Sequence, residues 1–294
     1  MNFILVIGLN RSGTKWLSNL LAQHSQIAAV TLPEHFGIVE SNVFNDYSRI
    51  FGSLQRDDDY AAFVNLWAET DFVKSLNVPR REILDWQPRP SNVFHAFERL
   101  MNDYLVSGDK PIWLQKCNPV QAVRAIPDFS EDGKVVVIRR PLFSVVESSA
   151  ALNQSAGLKN SFFKDAFVMA VQDRVLDRFW NDGNCLNVSF EKLKTDTGAE
   201  MSRICDAIGL EFESEMLETP FQQNTSFKQK QRYDLSVMQK LIVGTLKTGL
   251  KLLPVSVALK IWKTSRANKP FSSISGTYRS AFGGSDENAC VNSE

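Results

Sequence analysis

Phe3-Ile4-Leu5-Val6-Ile7-Gly8-Leu9-Asn10-Arg11-Ser12-Gly13-Thr14-Lys15-Trp16-Leu17 is the stretch that decides the fold. Its first five residues are a continuous apolar run, rich in β-branched side chains and stopped by Gly8, which reads as a strand buried on both faces in a parallel sheet. From Trp16 to Gln23, leucines at 17, 20 and 21 follow helical spacing. The order is therefore strand, loop, helix. In that setting backbone N–H groups converge at the helix start, and the helix dipole adds to the attraction for an anion.

Working outward, Ile27 to Leu32 reads as a second short strand closed by Pro33. Residues 41 to 110 carry aromatics at Phe44, Tyr47, Phe51, Tyr60, Phe63, Trp67, Phe72 and Trp86, and read as mostly helical with loops. Ile112 to Gln115 is a further strand candidate. Lys134 to Ile138 is the clearest central strand, running into Arg139-Arg140-Pro141 and then a helical stretch to about Leu152. Cys185 to Phe190 reads as a weaker strand, followed by a helix from about Thr197 to Ile208 that Gly209 stops. Strands alternating with helices imply an α/β fold with a doubly wound parallel sheet flanked by helices. Ligands of such sheets collect at the carboxyl ends of the strands, where the loops at 8–15 and 139–141 would lie.

The chain has 294 residues, and the expected organisation is one domain over 1–264 with a flexible tail, rich in Ser, Gly and Asn, over 265–294. Lysine plus arginine equals aspartate plus glutamate at 33 each, which argues against a general nucleic-acid binder while allowing a local basic pocket. Cys117, Cys185, Cys205 and Cys290 form no CxxC or Cys/His pattern, so neither a disulfide framework nor a zinc site is suggested. The opening apolar run is far too short for a signal peptide or a membrane span, and a cytoplasmic protein is the default expectation. Between Leu235 and Trp262 an apolar stretch is interrupted by Lys240, Lys247, Lys251 and Lys260, with breaks at Gly244, Gly249 and Pro254. Helices packed on the domain are the plain reading, and an amphipathic surface that touches a membrane or a lipid substrate is the other.

The loop is close to a Walker A motif but departs from it where chemistry depends on order. A Walker A loop has Lys directly after its second Gly and then Ser or Thr, whereas here Thr14 precedes Lys15 and the loop cation Arg11 stands two residues before Gly13. Nucleotide hydrolases also need a magnesium-holding carboxylate at a strand end. The strand Lys134 to Ile138 ends in two arginines instead.

Arg11-Ser12-Gly13-Thr14-Lys15-Trp16-Leu17 resembles the 5′-phosphosulfate loop of the sulfotransferases that use 3′-phosphoadenosine 5′-phosphosulfate. Val135-Val136-Val137-Ile138-Arg139-Arg140-Pro141, followed by Ser148, is similar to the family's 3′-phosphate segment. Spacing to Ser148 selects Arg140, while spacing to Pro141 selects Arg139, so both remain candidates with Arg140 first. Val188-Ser189-Phe190-Glu191-Lys192-Leu193 resembles a later family strand, with Phe190 at its aromatic position, and Thr225-Ser226-Phe227-Lys228 resembles the segment that closes over the 3′-phosphate. The resemblance spans residues 3 to about 232 and implies a P-loop-like sulfotransferase fold, with Arg11, Ser12, Gly13, Thr14, Lys15, Trp16, Arg139 or Arg140, Ser148, Phe190, Ser226 and Lys228 on the cofactor.

The same resemblance implies in-line sulfuryl transfer to a hydroxyl or amine without a metal, with Arg11 and the loop amides meeting the charge on the leaving phosphate. For the base, Pro33-Glu34-His35-Phe36 looks like the Glu-x-x-Phe segment of carbohydrate and protein sulfotransferases; Glu34 is the first choice and His35 the second. Lys116 in Gln115-Lys116-Cys117-Asn118-Pro119 resembles the family's Lys-x-x-Pro turn that faces the transferring group. His24 and His95 read as surface or core residues of helical segments. A Lys-Thr-His segment, used by the cytosolic small-molecule branch, is missing, which moves the expectation towards carbohydrate, protein and lipid acceptors. A magnesium-dependent P-loop kinase is the runner-up, and a nucleotide-binding relative without turnover is the non-enzymatic alternative.

Overall fold

The computed structural model describes residues 1–51, 53–129, 132–155, 161–219 and 233–267. Strands β1 (Phe3–Ile7), β2 (Ile27–Ala28), β3 (Thr31–Leu32), β4 (Gly37–Ile38), β5 (Ile112–Cys117), β6 (Gly133–Arg139) and β7 (Cys185–Ser189) alternate with helices along the chain. Five of them form one sheet in the order β2-β5-β1-β6-β7, every neighbouring pair parallel. The apolar run of the opening stretch takes the central place. Its alternate residues face opposite ways: Phe3, Leu5 and Ile7 pack into one core and Ile4 and Val6 into the other. This is why the run is continuous rather than alternating.

Helices cover both faces. On one side lie the helix Thr14–Leu21, contributing Leu17, Leu20 and Leu21, and the helix Thr197–Ile208, contributing Met201, Ile204 and Ile208. On the other side lie the helix Phe162–Trp180 and the helical region expected over residues 41 to 110. The eight aromatics singled out there are all core, none more than 4% exposed. Phe97 meets Trp113 of β5 edge-on, with ring centroids 5.5 Å apart, and Phe3 of β1 stacks on Trp113 at 4.6 Å, so this region is fastened directly to the sheet.

Some expected boundaries move. The run Ile27 to Leu32 is divided: β2 pairs with β5 for two residues, after which the chain leaves the sheet and Thr31–Leu32 forms a small antiparallel hairpin with β4. A period-2 pattern cannot distinguish one strand from two short ones that pair with different partners. Lys116 lies inside β5 rather than after it, and His24 sits in the turn that follows the first helix. The segment from Leu235 folds as two helices, Val237–Lys251 and Val255–Ala267. The first three residues of the expected tail are thus helical, and the rest of it, 268–294, lies outside the described residues.

Candidate functional site

The carboxyl ends of β1, β5 and β6 point to one edge of the sheet, where the loop Gly8–Gly13 leaves β1. The loop is built from its own atoms. Ser12 is buried and donates its hydroxyl to the Leu9 carbonyl at 2.7 Å, and the Ser12 amide bonds the same carbonyl at 3.0 Å. Gly13 has φ 97°, and a Cβ there would meet the Phe190 ring at 2.5 Å; both the backbone and the packing require glycine. Gly13 supplies no side-chain cap to the helix Thr14–Leu21, so its first amides are left for an outside acceptor. Arg11 also has a left-handed backbone, φ 72°, which costs a non-glycine residue about 1–2 kcal/mol.

Two guanidinium groups gather at this helix start. Arg11 Nε donates to Ser148 Oγ at 3.2 Å, and Arg140 Nη1 donates to the Arg11 carbonyl at 3.1 Å. Arg140 lies over the Phe190 ring at 4.6 Å, and its buried Nε has no hydrogen-bond partner among the described residues. Burial, and then repulsion by Arg140, lowers the Arg11 pKa; burial lowers that of Arg140, against the pull of Glu191 and Glu147. Both remain cations. Trp16 stands edge-on to Phe190 with centroids 6.0 Å apart, forming an apolar wall beside Gly13.

The neighbouring Arg139 goes elsewhere. Successive strand residues face opposite ways, and Arg139 Nη2 donates to Asp173 Oδ1 at 3.0 Å and Asp177 Oδ1 at 2.6 Å on the Phe162–Trp180 helix. The guanidinium also covers Trp180 at 5.4 Å.

The opposite wall comes from the β3–β4 hairpin, which the loop helix holds in place. Asn19 donates to the Phe36 carbonyl at 3.1 Å and accepts from the Ile38 amide at 2.9 Å, and Lys15 Nζ donates to the His35 carbonyl at 2.7 Å. Gly37, with φ 103°, lets the hairpin approach; a Cβ there would overlap Asn19 Oδ1 at 2.1 Å. Beyond β4, Glu40 forms an ion pair with Lys116 Nζ. The Lys116 side chain is 9% exposed and that of Glu40 is 58% exposed. Although burial acts against ionisation, Lys116, then Lys15 and His35, hold the Glu40 carboxyl below its ordinary value. Burial, then repulsion by Lys116, lowers the pKa of Lys15. Just past β5, Asn118 caps the helix Pro119–Ala125 in a reciprocal pair with Gln121, at 3.0 and 2.8 Å, which sets the direction in which the end of β5 leaves the sheet. Lys15, His35, Glu40, Asn42, Thr70 and Asp71 line an open cleft of about 360 Å³.

Of the residues expected from sequence, Arg11, Ser12, Gly13, Thr14, Lys15, Trp16, Arg140, Ser148 and Phe190 meet at the loop. Lys116 and His35 lie on the facing wall, where His35 Nε2 pairs with Asp71 Oδ2 at 2.8 Å. Glu34 is exposed in the 3-10 turn Pro33–His35. Ser226 and Lys228 lie outside the described residues. His24 is fully buried and bonds the Glu211 carbonyl at 2.9 Å, a core role. Glu40 is the residue that sequence reasoning missed: its link to Lys116 spans 76 positions, and only the pairing of strands brings the two together. Among the described residues no group of His, Cys, Asp or Glu is gathered as a metal site would need.

The sequence profile of the sulfotransferase family matches residues 4–214. Among solved structures, the sulfotransferase domain from the Synechococcus PCC 7002 olefin synthase superposes with a TM-score of 0.51 at 14% identity, covering 91% of this chain and 95% of that one. The sulfotransferase domain from the curacin biosynthetic pathway gives 0.46 at 17% identity, covering 95% and 96%. The sulfotransferase STF1 from Mycobacterium tuberculosis H37Rv gives 0.47 at 16%, covering 84% and 76%. Among curated proteins no sequence matches the chain.

Proposed function

The chain belongs to the sulfotransferase family, and we propose that it transfers the sulfuryl group of 3′-phosphoadenosine 5′-phosphosulfate to a hydroxyl or amine of an acceptor held in the Glu40 cleft. The observation that carries this reading is the pair of half-buried arginines, Arg11 and Arg140, gathered at an uncapped helix N-terminus. Two cations beside helix-start amides fit a ligand with two separated anionic groups. The free Nε of Arg140 and the Ser148 hydroxyl suit the 3′-phosphate; Arg11 and the amides from Gly13 to Lys15 suit the 5′-phosphosulfate. Arg139, satisfied by two carboxylates, is better read as a brace for the strand end.

When bound, the donor supplies an activated sulfuryl group; the rest is the work of the chain's residues. Arg11 and the loop amides would offset charge growing on the leaving phosphate, and because they are already oriented no rearrangement is needed as it develops. Lys15, placed between the loop and the hairpin, would sit beside the transferring group and add a second cation. A base must face the acceptor oxygen within hydrogen-bond reach. Glu40 answers this better than Glu34, since it lines the cleft beside its ion-pair partner at the end of β5, while Glu34 is not among the residues lining the cleft. Lys116 would hold the Glu40 carboxylate in place. His35, paired with Asp71, stands on the same cleft as the alternative base. The cytoplasm is the proposed site of action; among the described residues no helix is long and apolar enough to cross a membrane.

Calorimetry with adenosine 3′,5′-bisphosphate in the absence of magnesium, beside ATP with magnesium, tests the reading. Tight magnesium-independent binding of the bisphosphate that Arg140→Ala weakens is the expected result. A preference for magnesium-ATP would overturn it in favour of a kinase.

A further inference from the structure

The helix Val237–Lys251 packs on the Phe162–Trp180 and Leu142–Ser155 helices through one side, burying Val243 and Leu250. Its other side turns large apolar groups to solvent: Val237 is 86% exposed, Met238 65%, Leu241 63% and, at the helix end, Leu252 82%. Val237, Leu241, Thr248 and Leu252 recur at helical spacing, so these groups share one outward stripe rather than scatter. Gly244 and Gly249 leave a shallow open groove of about 510 Å³ along the stripe, bordered by Lys240, Leu241, Thr248 and Leu252. Single exposed leucines need no explanation, but a contiguous apolar stripe does.

Charge identifies the occupant. From Leu235 to Thr264 the chain has five lysines, at 240, 247, 251, 260 and 263, and no aspartate or glutamate, while the whole chain is balanced at 33 of each sign. Lys240 and Lys251 are exposed beside the stripe. A second copy docked two-fold on this face would set lysines against lysines. A nucleic acid would satisfy the lysines and leave the leucines wet. An anionic bilayer satisfies both, taking apolar side chains into the acyl boundary and lysines at the headgroups. We propose that the outward face of the helix Val237–Lys251 is a docking surface for a membrane bearing anionic lipids, with the helix lying in the plane of the interface. It does not span, since no described helix is long and apolar enough. The surface lies on helices remote in sequence from the loop and hairpin that form the cleft, and it stands whatever group the cleft transfers.

Flotation of the full chain with vesicles of pure phosphatidylcholine and with vesicles containing phosphatidylglycerol tests it. Binding at least tenfold stronger to the anionic vesicles is expected, falling as salt rises, because each lysine near such a surface strengthens association about fivefold. Leu241→Asp with Leu252→Asp, and separately Lys240→Glu with Lys251→Glu, should each lower binding roughly tenfold or more while the thermal transition stays that of the parent. All four sites are on the surface, so the variants remain folded. Absence of binding to anionic vesicles, equal binding to both vesicle types, or variants that bind like the parent would overturn the proposal. So would a parent chain that is dimeric in solution and becomes monomeric in the Leu241→Asp, Leu252→Asp variant, because a second copy would then own the face.

Discussion

The two walls of the cleft are built on different principles. The loop wall grows out of the central strand: Ser12 is fully buried, Gly13 fits against Phe190 with no room for a Cβ, and the guanidinium of Arg140 is tied to the loop's own backbone. The hairpin wall consists of a two-stranded ribbon and a three-residue turn, flanked by exposed acids: Glu40 just after it at 58%, and Glu69 at 68% and Asp71 at 62% from the start of the helix Asp71–Ser75. The first wall is charge preorganised by the loop and its backbone. The second can change one side chain at a time, and it is joined to the first chiefly through Asn19 and Lys15. If donor binding and acceptor chemistry are divided between the walls in this way, substitutions should separate affinity from turnover.

The largest effect is expected on the hairpin wall. Glu40→Gln keeps the shape and removes the base, so kcat should fall by roughly 10²–10⁴, while the affinity for adenosine 3′,5′-bisphosphate measured by calorimetry stays within about threefold of the parent. The pH profile carries the same information. Because Lys116 and its neighbours hold the Glu40 carboxyl below its ordinary value, protonation removes the base only below the usual glutamate range. The rate should therefore be flat through neutral pH and decline only in acid. A rate that instead declines near neutrality would overturn Glu40 as the base.

The next effect belongs to the loop wall. Arg140→Ala should weaken bisphosphate binding by roughly 10- to 100-fold, the range for losing charge-assisted hydrogen bonds. Its neighbour provides the control. Arg139→Ala leaves Asp173, 6% exposed, without its cation, so it should lower folding stability by roughly 2–4 kcal/mol, seen in chemical denaturation, and change bisphosphate affinity less than threefold. If Arg139→Ala abolishes affinity in protein that is still folded, the division of roles between the adjacent arginines is wrong.

The adjacent arginines also mark where sequence reasoning stops. The loop, the central strand and the order of parallel elements were legible because each is a local pattern: an apolar run, a glycine where φ is positive, leucines at helical spacing. Spacing alone left Arg139 and Arg140 unresolved, because the answer depends on which face of β6 meets the carboxylates at 173 and 177. Glu40 was invisible for a similar reason, being an ordinary exposed acid until β5 brings Lys116 beside it. The aromatics of residues 41 to 110 show the opposite limit. Aromatic composition alone does not say whether a ring faces a ligand or a core, and the eight singled out are spent on the core.

The smallest effect tests the hairpin wall against its own sequence motif. Glu34 is the first choice as base from sequence because Pro33-Glu34-His35-Phe36 resembles a family segment, yet Glu40, not Glu34, is among the residues lining the cleft. Glu34→Gln should therefore leave kcat and KM within about twofold, as surface substitutions away from a network usually do. The double variant Glu34→Gln, Glu40→Gln should be no slower than Glu40→Gln alone, because a residue outside the reacting geometry has nothing further to lose. A hundredfold loss in Glu34→Gln would mean that the turn folds inward when the donor and acceptor bind, moving the base from the end of β4 to the start of the hairpin. The hairpin wall would then be a moving part, and Asn19→Ala, which removes its tether, should raise KM in the parent far more than it does in Glu34→Gln.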